Sequence, residues 1–487
     1  MPEERPNILV ITTDQQRFDT VLPWRPPWLR TPHLDDLQRQ GVSFTRAYAD
    51  APICVPGRMA LLTGKFVRNH GMPGNGHTSE YVGNRDTLPA RMADIGYQTA
   101  AVGKLHFHPQ RARHGFGETW IPQDYFNEMA RAGSPLQSHR HGLGANELHP
   151  GMATVPECMT LTSWIAEKSA EFIRERRDPT VPFFLWTSFS KPHPPLDPPE
   201  PYCSMYRDCP IPEPTLGDWS GDEEAPESFK RHRQCWSADL LSPEVIREAR
   251  AAYYGLVTQI DYNIGRIFAA LFENRLFDNT LIVFYSDHGE YLGDFRNSGK
   301  MFFHEVSAHI PMIVRMPKTW ENRRHGTSCD ALATIADVPA TLLRAAGDEP
   351  PDDYDGQDLI GVARGEIPPR GLLDCVSYGD VDADRASIAI TDGRWKYLWF
   401  PEGGGEQLFD LESDPKEERN LAGLPERAGK KQELKGELAR RHEGNPFGYA
   451  KGGKLVAKPL RGDTVRDRRN AAHPGYISEH WPHDTKH

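Results

Sequence analysis

The segment Pro52-Ile53-Cys54-Val55-Pro56-Gly57-Arg58-Met59-Ala60-Leu61-Leu62-Thr63-Gly64 places a cysteine, a proline and an arginine at C-x-P-x-R spacing and runs on into a helix-and-turn signal. Cys54 alone reads as a buried thiol. Arg58 lies one turn further along the same predicted helix, which puts a fixed positive charge near that thiol. Carboxylate, amide, amine and imidazole groups gather elsewhere, at Asp14-Gln15, Lys104, His106, His193, Asp287-His288 and Lys300. Side chains of these types bind cations, neutralise anions and carry protons.

The elements that must position them are short apolar runs. Asn7–Thr12 leads into Asp14-Gln15, Thr99–Val102 into Gly103-Lys104, Phe183–Trp186 towards Lys191-Pro192-His193, and Leu281–Tyr285 into Asp287-His288. Each lacks strict alternation, as a strand buried on both faces should. Helical stripes lie between them: Leu161, Trp164, Ile165, Phe172 and Ile173, then Tyr253, Leu256, Ile260, Ile264, Ile267 and Leu271. Strands alternating with helices predict an α/β fold with a large, mostly parallel sheet between helix layers. Ligands of such sheets sit beyond the carboxyl ends of the strands, so these distant residues could share one cleft.

Thr119–Pro156 and Leu196–Ser242, rich in Pro, Gly, His and charge, read as long insertions over that cleft rather than core. Near Arg370 the character changes. Ser387–Thr391, Trp395–Phe400 and Gln407–Asp410 read as antiparallel strands, followed by a helix over Glu426–Arg441. The expected organisation is a catalytic domain over 1–370, an α+β subdomain over 371–445 and an extension over 446–487.

Lys plus Arg is 57 against 68 Asp plus Glu, a net charge of −11 over 487 residues. That balance argues against nucleic acid as a partner. No apolar run approaches the ~18 residues that span a membrane, and no leader is visible, so a cytoplasmic location is expected. The seven cysteines are odd in number and contain no CxxC pair, which implies ordinary reduced thiols. The polar, basic tail after Asn445 suggests a homo-oligomer arm.

On these motifs the chain resembles the type I sulfatases of the alkaline-phosphatase-like superfamily. Thr31-Pro32-His33-Leu34-Asp35, Gly96-Tyr97-Gln98-Thr99…Gly103-Lys104-Leu105-His106, Ser286-Asp287-His288-Gly289, Gly299-Lys300 and Gln407-Leu408-Phe409-Asp410-Leu411 carry the resemblance beyond C-x-P-x-R. It implies an alkaline-phosphatase-like fold and conversion of Cys54 to formylglycine by a formylglycine-generating enzyme. Hydrated to a geminal diol, that aldehyde offers one hydroxyl to attack sulfur and a second to expel sulfate. Asp14, Gln15, Asp287 and His288, with residue 54, become the metal ligands. Three oxygen-bearing side chains suit Ca2+, and the imidazole of His288, where Asn is usual, shifts preference towards Mn2+.

By the same resemblance Arg58 holds the modified side chain, and Lys104 and Lys300 bind sulfate oxygens. His106 assists breakdown of the hemiacetal, and His193 with Lys300 serves the leaving oxygen, His193 as general acid. Asn75, His77 and His108 are candidates for contact with the organic part of the substrate. The implied reaction is hydrolysis of a small-molecule sulfate ester. Asp14-Gln15, Asp287-His288 and Lys191–Pro195 equally resemble phosphonate monoester hydrolases, which makes a phosphonate ester or phosphodiester the alternative substrate. A local positive field from Arg58, Lys104, Lys300, the histidines and a divalent cation is expected to oppose the global negative charge.

Overall fold

The computed structural model describes residues 5–72, 74–75, 78, 82–83, 86–132, 141–144, 146–236, 238–377, 386–444 and 447–459. Its main sheet has eight strands: β1 (Asn7–Asp14), β2 (Val42–Tyr48), β3 (Gln98–Gly103), β4 (Glu118–Trp120), β5 (Phe183–Pro192), β6 (Thr280–Ser286), β7 (Met312–Arg315) and β8 (Thr327–Thr334). Their order is β4-β3-β5-β1-β6-β7-β2-β8. β4, β3, β5, β1 and β6 run parallel, whereas β7 is antiparallel to both β6 and β2.

Both faces of the central strands are apolar, so alternate side chains enter two separate cores. Ile8 and Val10 of β1, with Phe184, Trp186, Leu281 and Val283, join the core that packs on helix Cys54–Thr63. Leu9 and Ile11, with Leu185, Ile282 and Phe284, face Ile165, Ile260, Ile264 and Ile267 of helices Leu161–Glu171 and Pro243–Glu273. A continuous apolar run is thus what a strand between two helix layers requires.

Two expected insertions are corrected. Thr119 and Trp120 belong to the edge strand β4, pairing with Ala101 and Val102. Within Leu196–Ser242, Trp219 and Phe229 are buried in the main core and Leu196 in a second cluster, so this stretch is in part core. Its polar composition hid a few large apolar anchors.

A second sheet follows, of β9 (Leu373–Ser377), β10 (Ser387–Thr391), β11 (Trp395–Phe400) and β12 (Gly405–Asp410), antiparallel in the order β12-β11-β10-β9. Leu373, Ala389, Leu398 and Phe409 share the main core, while Ile388, Ile390, Tyr397 and Leu408 pack against Leu434 and Leu438 of helix Ala428–Arg441. The two sheets therefore have one core in common. The start of the tail is also corrected: Tyr449 is fully buried, and Ala450–Lys451 pairs with Lys454–Leu455 in a hairpin against this subdomain. All seven cysteines are free, and among the described residues no helix is long and apolar enough to cross a membrane.

Candidate active site

Strand register closes the sequence gaps. Thr13 pairs with Ser286, which sets Asp287 beside Asp14, while Asp14 pairs with Pro192 next to His193. Gly103 pairs with Ser188, bringing Lys104 to the same edge. Gly103 has φ 103°, and a Cβ there would lie 2.0 Å from the Ser188 carbonyl oxygen, so only glycine permits this crossing.

Cys54 opens helix Cys54–Thr63, every residue of which is buried. Pro56 fits the first turn, where its missing N–H costs nothing. Gly57 lets the helix lie against Asp287, whose carbonyl oxygen would be 3.1 Å from an added Cβ. Asn75 Oδ1 accepts a hydrogen bond from Val55 N–H at 3.1 Å. The expected substrate contact Asn75 therefore anchors the helix start.

At the centre, Cys54 Sγ lies 3.2 Å from His288 Nε2 and 3.7 Å from Asp14 Oδ1. His288 Nε2 is 3.8 Å from Asp14 Oδ1 and 3.5 Å from Asp287 Oδ1. Four donor atoms from Asp14, Cys54, Asp287 and His288 lie within 4.8 Å of one another, all buried. His288 Nδ1 is 3.0 Å from the Gly289 carbonyl, which can only accept. Nδ1 therefore carries a proton and Nε2 faces the cluster; burial disfavours a second proton on the ring, but Asp287 and Cys54 raise its proton affinity, so Nε2 ligates a cation only after shedding that proton. Burial and neighbouring Asp14 push Asp287 up to about 6, against His288 and Arg58. Two buried carboxylates, one lone pair and a sulfur make a donor set that fits a divalent cation.

Arg58 is tied to the carboxylates on either side of it. Its Nη2 reaches Asp14 Oδ2 and Asp287 Oδ2, both at 2.9 Å, and Nη1 reaches Ser188 Oγ at 2.8 Å and the Lys104 carbonyl. Arg58 thus clamps the outer carboxylate oxygens and leaves the inner ones facing the cluster; its hydrogen bonds do not go to Cys54. Lys104 Nζ pairs with Asp14 Oδ2 at 2.6 Å. Burial and Cys54 raise the proton affinity of Asp14, but Lys104, His193 and Arg58 outweigh them and hold it below the usual carboxylate range. Burial also disfavours the Cys54 thiolate, yet Lys300, Lys104 and His288 bring this thiol well below its ordinary value. His106 is kept neutral by burial and hydrogen-bonds to Cys54.

Lys300 Nζ donates to Gln15 Oε1 at 2.6 Å and lies 3.1 Å from His193 Nε2. His193 Nδ1 is 2.7 Å from the Pro194 carbonyl, so Nδ1 holds the proton and Nε2 accepts from Lys300. Burial, with Lys300 and Lys104 facing the ring, pushes His193 down to about 3. The side chain of Gln15 is held between Lys300 and Glu290, its amide nitrogen donating to Glu290. Gln15 also has φ 73° and His106 φ 57°, left-handed conformations that strain side-chain-bearing residues and cluster at functional sites. Gln15 is fixed there by its N–H on Asp287 Oδ1 and by Tyr253 OH on its carbonyl, at 3.1 and 2.7 Å.

Sequence reasoning missed Glu290, Ser188 and Tyr253. Glu290 is the one with a signal, an acid two residues past His288. It accepts from Leu292 N–H at 2.8 Å and Gly299 N–H at 2.5 Å, beside Lys300. The carboxylates of Asp14, Asp287 and Glu290 face the cations of Arg58, Lys104 and Lys300, three against three. His108 is half-buried, and its backbone N–H donates to Thr78 Oγ1 at 2.9 Å. His77 lies outside the described residues.

Comparison with known proteins agrees with this constellation. A family model described as Sulfatase matches residues 6–348, and one described as N-sulphoglucosamine sulphohydrolase, C-terminal, matches 293–444. An arylsulfatase of Clostridium perfringens is 32% identical over 479 residues, covering 93% of this chain and 97% of that enzyme. The structure of a phosphonate monoester hydrolase of Agrobacterium radiobacter superposes with a TM-score of 0.74 at 24% identity, covering 93% and 100% of the two chains. Phosphonate monoester hydrolase SpPMH from Silicibacter pomeroyi gives 0.74 at 25% identity, covering 91% and 96%.

Proposed function

The chain belongs to the sulfatase family and is a sulfuric ester hydrolase; from that premise we propose that it hydrolyses small organic sulfate monoesters with a formylglycine formed from Cys54. Asp14, Asp287 and His288, with residue 54, would hold one divalent cation, Ca2+ first and Mn2+ second. The convergence of those four buried residues within 4.8 Å supports this reading. Gln15, engaged by Lys300 and Glu290, is assigned to positioning Lys300.

When present, the formylglycine and the cation supply an activated hydroxyl nucleophile and polarise a sulfate oxygen. The remaining work falls to side chains. Lys104 and Lys300 bind the sulfate oxygens. The leaving oxygen takes its proton from the Lys300–His193 pair, with Lys300 Nζ as the store and His193 Nε2 as the acceptor beside it. His193 does not hold that proton itself, because burial and the facing lysines keep it neutral. Neutral His106, against residue 54, is placed to take a proton when sulfate departs. With cationic and anionic side chains in balance, attraction of an anion to this globally acidic protein depends on the bound cation.

Maturation by a formylglycine-generating enzyme that reads C-x-P-x-R, and self-association, are part of the same reading. The similarity to an arylsulfatase makes an aryl sulfate the first substrate to assay. A second reading, a phosphonate ester hydrolase, is favoured by Gln15, His288 and the likeness to SpPMH. Parallel kcat/KM measurements on 4-nitrophenyl sulfate and 4-nitrophenyl phenylphosphonate decide. A higher value for the sulfate is expected, and a higher value for the phosphonate overturns the first reading.

A further inference from the structure

The donor set with an unmodified Cys54 differs in kind from the one a formylglycine would complete. Facing inward are one sulfur, one imidazole nitrogen and the inner oxygens of Asp14 and Asp287. The next oxygen-bearing side chain, Gln15, accepts from Lys300, and the outer carboxylate oxygens are taken by Arg58. Calcium takes oxygen ligands and gains little from a thiolate sulfur. Mixed S, N and O donors in fourfold array instead suit a borderline-soft ion such as zinc.

The spacing agrees. Ligands about 2.0–2.3 Å from a tetrahedral centre lie about 3.3–3.7 Å from one another. Four of the six separations are 3.2 Å for Sγ to Nε2, 3.7 Å for Sγ to Asp14 Oδ1, and 3.8 and 3.5 Å from Nε2 to the two carboxylates, and all six lie within 4.8 Å. The supporting contacts are those of a preformed site: Gly289 fixes the His288 tautomer and Arg58 fixes both carboxylates.

We propose that the chain carrying an unmodified Cys54 is a Zn2+-binding protein, with Asp14, Cys54, Asp287 and His288 as a complete tetrahedral set. Conversion of Cys54 removes the sulfur and turns the same place over to a harder cation. Residue 54 then sets metal selectivity as well as reactivity. The inference rests on the site read above, but it does not need the chain to hydrolyse anything.

The test uses full-length protein made without converting activity, with the thiol at position 54 verified by mass spectrometry, and stripped by a chelator. Co2+ is added as a spectroscopic probe, then displaced competitively by Zn2+ or Ca2+. Expected are the intense visible spectrum of tetrahedral Co2+, a near-ultraviolet thiolate-to-cobalt band, and Zn2+ affinity at least about 100-fold above that of Ca2+. C54S should abolish the thiolate band and cut Zn2+ affinity at least about tenfold. A pale octahedral spectrum, absence of the thiolate band in the unsubstituted protein, or Ca2+ competing as well as Zn2+ overturns the proposal. These readouts need no substrate, so failure of sulfate hydrolysis is separately visible.

Discussion

Replacing Glu290 by glutamine should invert a hydrogen-bond chain that ends on Lys300. Glu290 accepts from Leu292 N–H, Gly299 N–H and the Gln15 side-chain amide, and Gln15 in turn accepts from Lys300. In E290Q the retained oxygen must stay on the two backbone donors. The new NH2 then faces the NH2 of Gln15. Relief requires Gln15 to flip, which aims its own NH2 at the Lys300 ammonium. A hydrogen bond to a charged group contributes about 1.5–3 kcal/mol, and about 1.4 kcal/mol is tenfold in rate, so kcat/KM should fall about 10- to 150-fold. The assay is a series of aryl sulfates with leaving phenols of rising pKa. If Lys300 and His193 serve the leaving oxygen, the loss grows along the series. The double variant Q15E/E290Q restores acceptors towards both residue 290 and Lys300, and should recover most of the loss. A uniform loss, a loss under about threefold, or no rescue in a variant of unchanged near-ultraviolet CD refutes the chain of reasoning.

Three further outcomes follow from buried charge. Burial pushes Asp50 up to about 7 from 3.8, and its Oδ2 accepts Val67 N–H while Oδ1 has no partner. The raised value means that protonation favours the fold, a stabilisation complete below about pH 4 and lost as pH rises through about 7; the melting-point advantage of D50N should therefore grow across that window, and a pH-independent difference refutes it. Lys396, fully buried, pairs with Glu305 and, at 2.9 Å, with Glu417. K396M removes the cation that both carboxylates share, leaving Glu305 with His309, and should cost about 3–5 kcal/mol in urea unfolding; an unchanged midpoint would show that this network contributes nothing. Asp287, raised to about 6, is protonated in acid and charged at pH 8. The melting-point increase on returning the divalent cation to chelated protein should thus be larger at pH 8 than at pH 5, and the reverse order contradicts the site.

The parts legible in the sequence were those with a local cause. β1, β3, β5 and β6 are flanked by helices on both faces, so their apolar runs are continuous, and the residues at their ends meet because parallel register aligns those ends. β2 alternates polar with apolar residues, β4 has three residues, and the first half of β8 is exposed, so none carries that signal. The side chains of Asp14, Cys54, Asp287 and His288 came together as their motifs imply. Partner choice was not legible. Arg58 turns to carboxylates 44 and 229 positions away, and Asn75 turns back to Val55, because burial obliges each polar group to find the nearest complement in space. Ser188 and Tyr253 carry no motif, and they matter only through what the fold sets against them.

The central claim is that the reacting group derives from Cys54. Its most direct test is mass spectrometry of the residue-54 peptide, across preparations made with and without a formylglycine-generating enzyme, set against aryl sulfatase activity per chain. The account predicts an aldehyde at position 54 and activity proportional to the converted fraction. Full activity in protein whose residue 54 is entirely a thiol would contradict it.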